Sequence, residues 1–179
     1  MRDQSIVGGE NYGSSAVSAI GESTQGPPPL RPFGLRLHHD GRWSHEGQSI
    51  LNRRLREAFD RSVVYLPDEA KYVVRLGHFR GQIEVEEAGF FVLELDLDAG
   101  QLRLSDGTTE TFDLAGLEVS GLDGAFLCRV KRDLLSEGLW ARFSHSAQAE
   151  FLGAVREESD GWSVELEGDR RPLPEGLEE

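Results

Sequence analysis

The chain has 179 residues, with 32 Asp and Glu against 19 Lys and Arg, so its formal charge at neutral pH is −13. That charge argues against general nucleic-acid binding and against docking on anionic membranes, because both draw affinity from a basic surface. Hydrophobic residues make up 38% of the chain and mean hydropathy is −0.42, and no apolar stretch approaches the roughly 18 residues of a membrane helix.

Residues 1–29 stand apart. Gly, Ser and Pro fill 13 of these 29 positions, and the segment closes on Pro27-Pro28-Pro29. No helical or strand period runs through it, which predicts a disordered arm with a short polyproline hinge. It lacks the charged segment and apolar run of a secretory signal. Cys128 is the single cysteine, so no internal disulfide can form and a reducing cytoplasm is the expected home.

Leu35 to Glu46 reads as a β-hairpin turning at Asp40-Gly41, the dipeptide that favours a two-residue loop. That loop pairs His39 with Arg42, His38 with Trp43, Leu37 with Ser44 and Arg36 with His45. One face then carries Arg36, His38, Trp43 and His45 together. A helix follows, with Ser49 as its expected cap, Leu51, Leu55, Ala58 and Phe59 as its apolar stripe, and an end near Arg61. Arg53, Arg54 and Arg56 lie off that stripe and are expected to pair internally or stay solvated.

Strands fill the middle. Val63 to Leu66 and Lys71 to Leu76 pair across Pro67-Asp68, and Gln82 to Glu87 alternates. Phe91, Leu93, Leu95 and Leu97 alternate with Val92, Glu94, Asp96 and Asp98. With a turn at Ala99-Gly100, Leu97 faces Leu102, Leu95 faces Leu104 and Asp96 faces Arg103. Further strands are expected at Thr109 to Leu114 and Ala125 to Val130. A short helix is expected at Arg132 to Glu137, a second capped by Ser146, and a strand at Trp162 to Glu167. Asp40-Gly41-Arg42-Trp43-Ser44 is echoed by Asp160-Gly161-Trp162-Ser163, which raises duplication, although matches this short arise by chance.

The hairpin face of Arg36, His38, Trp43 and His45 is the leading candidate site for a ligand. His38 and His45 fall about 7–8 Å apart as diagonal neighbours. With a carboxylate they would hold a metal; with Arg36 they would hold an anion beside the Trp43 ring. Ordinary surface imidazoles are the default against both. His145 with Glu150 is a weaker acid–base pair, off the spacing of a zinc helix. His78 sits in an expected loop. Cys128 alternates with Phe126 and Val130 and reads as a buried thiol. Glu84, Glu86, Glu87, Glu94, Asp96 and Asp98 read as a solvated sheet face. No nucleophile elbow, P-loop or dinucleotide glycine pattern occurs, so no catalytic residue, metal or cofactor is expected.

Three further stretches stand out: Asp40-Gly41-Arg42-Trp43-Ser44-His45-Glu46-Gly47-Gln48-Ser49-Ile50 with Leu55 and Phe59, Ile83-Glu84-Val85-Glu86-Glu87-Ala88-Gly89-Phe90, and Leu139-Trp140-Ala141-Arg142-Phe143-Ser144-His145-Ser146-Ala147 with Leu152. Together they resemble the bacterial family catalogued as domain of unknown function 1285. Ser44 stands where the family favours an aromatic, and Gly89 where it favours proline. The resemblance implies an α+β fold, mainly antiparallel, with two related subdomains at roughly 30–80 and 81–173, followed by an acidic tail at 174–179. A signalling or regulatory role is implied, with no established chemistry. The expected function is a cytoplasmic binding or regulatory module for a peptide, protein or small ligand. The alternatives are a metal-dependent enzyme using His38 and His45, and a structural subunit presenting Phe90 and Trp140.

Overall fold

The computed structural model describes residues 32–77, 79–159 and 161–177. The expected arm, His78 and Asp160 of the short echo lie outside these residues.

The fold is α+β and mostly antiparallel. Its first sheet holds β1 (Pro32–Leu37), β2 (Trp43–His45), β3 (Gln48–Ser49), β4 (Val63–Leu66), β5 (Lys71–Leu76) and β6 (Phe79–Val85), in the order β3-β2-β1-β6-β5-β4. Its second holds β7 (Phe90–Asp96), β8 (Gln101–Leu104), β9 (Thr109–Thr111), β10 (Glu118–Val119), β11 (Phe126–Val130) and β12 (Leu139–Phe143), in the order β10-β11-β12-β7-β8-β9. In each sheet three strands run outward and the next three return. The returning strand then lies parallel to the first: β6 beside β1, and β12 beside β7. The repetition is therefore one of topology. The short sequence echo pairs unrelated places, since its second copy belongs to a small third sheet of β13 (Arg156–Glu158), β14 (Gly161–Leu166) and β15 (Asp169–Pro172).

The first sheet keeps β6 to Val85, so a boundary near residues 80 and 81 would cut a strand; the sheets part at Glu86–Gly89. Helix α1 (Arg53–Asp60) joins β3 to β4 and is capped by Asn52, whose side chain accepts from the Leu55 N–H. Ser49, the expected cap, is a residue of β3. Only Phe59 of the stripe is buried; Leu51 and Leu55 are exposed. Helix α2 (His145–Ala154) begins at Ser144 rather than Ser146, with the Ser144 hydroxyl accepting from the Ala147 N–H. The expected helix at Arg132 to Glu137 is a pair of turns in which Lys131 O accepts from the N–H groups of Leu134 and Leu135.

One core runs through both sheets. Leu35, Leu37, Trp43 and Val74 of the first join Val92, Leu102, Leu104 and Ala141 of the second. Phe151 of α2 closes the far side, edge-on to Phe112 and Phe126 at 5.9 and 5.5 Å.

Candidate functional site

The first hairpin turns in three residues, not two. Its pairs are Leu35 with His45, Arg36 with Ser44 and Leu37 with Trp43. Gly41, at φ +79°, takes the left-handed position that follows the turn. A register displaced by one residue exchanges the two faces of a strand. Trp43 therefore enters the core at 1% exposure, and Ser44 takes its place beside His38, whose Nε2 lies 2.9 Å from the Ser44 hydroxyl. His45 sits on the opposite face, its ring 5.5 Å from Phe33. The four expected site residues are thus divided, and His38 and His45 share neither a face nor a cavity that could hold one metal ion. Among the described residues no group of three or more His, Cys, Asp or Glu is placed to do so.

Arg36 and His38 join a charge network at the Glu86–Gly89 junction. Glu86 accepts from the backbone N–H of His39 and lies 2.9 Å from the His39 ring, with His38 and Arg36 at 3.5 and 3.7 Å. The N–H and ring of His39 hold the Glu86 carboxyl down at about 2. Next in the chain, Glu87 meets Arg142. The Arg142 side chain, on β12 between β11 and β7, is almost fully buried. It binds Glu87 and Asp123, and the Ser120 hydroxyl reaches both Glu87 and Arg142. His39 comes within 3.9 Å of Asp123, so the turn of the first sheet is tied to the 120–125 loop of the second.

Below this network lies a cleft of about 460 Å³ between the β1–β2 turn, the end of α1, strands β7, β8 and β12, and the start of α2. A β-bulge shapes its wall. Between Val92 and Glu94 the β7–β8 pairing shifts by one residue, so Leu93 is unpaired. Val92 and Leu95 then face the core opposite Leu104 and Leu102, while Phe91 and Leu93 line the cleft. Such bulges re-aim side chains next to binding sites. Leu93 keeps 38% exposure there, the mark of an apolar wall open to solvent.

The polar groups converge from both sheets. Asp60 closes α1, and its Oδ1 accepts from the Trp43 indole N–H at 2.7 Å. Burial raises the Asp60 carboxyl above its ordinary value, against the lowering effect of that hydrogen bond. His145 stands at the rim, exposed. Its proposed partner Glu150 lines a different, shallow depression with Asp96 and Thr109, so the two are not brought together.

Sequence reading missed Asp60, Asp123 and Arg142. Arg142 carried a signal, as a lone charge amid the apolar run Leu139 to Phe143; the others carried none. Cys128 is fully buried, and burial pushes its thiol up to about 12, so it is no nucleophile at neutral pH. Of the acids expected on a solvated face, Glu84, Glu86, Glu94, Asp96 and Asp98 are exposed, and Glu87, the counter-ion of Arg142, is the exception. Arg53 pairs with Glu57 along α1 at 2.7 Å. Phe90 is buried, and Trp140 carries the Arg129 guanidinium over its ring at 3.3 Å. No described helix is long and apolar enough to cross a membrane.

No family model matches the sequence, and no curated protein matches it. Among solved structures the chain is similar to a DUF1285 family protein from Silicibacter pomeroyi DSS-3, at 16% identity over 83% of this chain and 84% of that one, with a TM-score of 0.56. A DUF1285 family protein from Shewanella baltica OS155 aligns over 68% of this chain and 91% of its own, also at 16% identity, with a TM-score of 0.44.

Proposed function

From a fold shared with a DUF1285 family protein, we propose that the chain is a small-ligand-binding module of regulatory type, with its site in the cleft between the two sheets. The observation that carries this reading is the cleft itself. At about 460 Å³ it falls in the size range of small-molecule sites. Its wall is apolar at Phe91 and Leu93, and a few polar groups, Asp60 and Asp123 among them, converge on it. The bulge at Leu93 supports the reading too, because it leaves an apolar side chain half exposed where a regular ladder would have turned it inward.

A peptide lying along a sheet edge fits less well, since the end strands of the two large sheets, β3, β4, β9 and β10, are only two to four residues long. Within this reading the protein works without chemistry of its own, and occupancy alters how the two sheets are held together through the Glu86, Glu87 and Arg142 network.

The test is thermal unfolding against a panel of nucleotides, amino acids, amines and organic acids. A ligand at 100 times its dissociation constant adds about 2.7 kcal/mol, roughly a 5–10 °C shift at this size. The Leu93→Trp variant, which fills the cleft, is expected to lose the shift. A shift that survives Leu93→Trp places binding elsewhere, and a flat panel overturns the small-ligand reading.

A further inference from the structure

Building on the cleft reading, we infer that its ligand is an organic cation, a primary ammonium or amidinium on a flat apolar body, with the Asp60 carboxylate as its counter-ion. Asp60 is half-buried and held in place, because its Oδ1 accepts from the indole N–H of fully buried Trp43. That leaves Oδ2 for the cleft. Among the described residues no ion pair forms to Asp60, the Trp43 hydrogen bond being its side-chain contact.

Most of the neighbouring cations are already matched, Arg61 of the same lining being the exception. Arg103 is held by Glu94, Arg142 by Glu87 and Asp123, and Arg42 holds Asp40. Arg56 of α1 and Arg61, the residue that caps its end, attract Asp60 without forming an ion pair to it, Glu57 opposes them, and burial outweighs the attraction. A desolvated carboxylate without a cation gains most from one supplied by a ligand, through a short charge-assisted hydrogen bond. The adjoining Phe91 and Leu93 suit the apolar body, and the Phe91 ring also attracts a cation. A chain of net charge −13 favours the approach of such a ligand over that of an anion.

Benzamidine, benzamide and benzoate, alike in shape but cationic, neutral and anionic, are the probes for calorimetric titration of the full chain. Benzamidine is expected to bind about ten-fold more tightly than benzamide and to lose about ten-fold with Asp60→Asn, while benzoate stays weakest. Asn keeps an acceptor for Trp43, and Asp60→Glu is the second variant, retaining the charge and most of the affinity. Equal benzamidine binding by the wild type and Asp60→Asn overturns the inference, as does tighter binding of benzoate. Benzamide or benzoate binding at least as tight as that of benzamidine, and abolished by Leu93→Trp, would leave the cleft reading standing and remove the cation alone. Binding of none of the three overturns the inference, and the panel of the preceding section then decides the cleft.

Discussion

Gly89 lacks a side chain because Tyr72 occupies the space one would need. A Cβ built there would stand 2.2 Å from Tyr72 Cε1. Tyr72 cannot readily yield, packed as it is on Tyr65 and Phe90 at 5.0 and 6.2 Å. Burial pushes its phenol up to about 12. The glycine that departs from the resembled family's proline is thus matched to its neighbour. Gly89→Ala is expected to cost about 1–3 kcal/mol by overpacking, read as a lower urea midpoint with an unchanged slope. In a Tyr72→Ala background that cost should largely vanish, since the two residues share one contact. Asp60 and Glu86 show how little of a site is visible residue by residue. Each is an ordinary acid in an acidic chain, and only its surroundings separate them. The N–H and ring of His39 hold one carboxyl at about 2, whereas burial raises the other.

Among the elements, the two hairpins differ by the parity of their registers. At β7–β8 the expected pairing was displaced by two residues, so that Glu94 rather than Asp96 opposes Arg103. An even displacement leaves every side chain on its own face, so Leu95 and Leu102 reach the core as the alternation predicted. At β1–β2 the displacement was one residue, the faces exchanged, and the expected ligand face of Arg36, His38, Trp43 and His45 came apart. Asp40-Gly41 marked the turn correctly but does not choose between two-residue and three-residue loops, because both use a residue at positive φ. Gly41→Ala, at φ +79°, is expected to cost about 1 kcal/mol, roughly 2–4 °C in Tm. Retention of the full Tm would remove the turn from any role in setting the register. The bulge at Leu93 was hidden for a similar reason: alternating Leu and acid looks the same with or without an extra residue in one strand.

Across the whole molecule, the two sheets repeat one strand order and are joined by charges at Glu86 and Glu87. Arg142 is the costly member, with its side chain 5% exposed and that of Glu87 14% exposed. Such a pair contributes little net stability against apolar replacements, but breaking it strands a buried charge. Arg142→Met is therefore expected to cost about 3–5 kcal/mol, measured by urea unfolding at neutral pH. The double variant Arg142→Met, Glu87→Gln should recover part of that loss by removing the stranded carboxylate. A double variant no better than the single one would show that Arg142 acts through packing instead. Acid should loosen the same junction. Glu86 is depressed in the folded state, so the unfolded chain binds the extra proton between about pH 4.5 and 2. Its contribution is complete above that range and is lost as pH falls through it.

The sequence already contained the fold class, most strands, both helices and the buried state of Cys128, because these follow from local period, capping and turn chemistry. The likeness of fold to a DUF1285 protein was legible in three stretches as well, although no family model registers them. The tertiary structure decided the loop length at Gly41, the bulge at Leu93 and the burial of Arg142 on β12. The first moved Trp43 into the core and the second opened the apolar wall. Each depends on what a strand packs against, which a period along the chain does not encode, and so the candidate site shifted from one hairpin face to the cleft between the sheets.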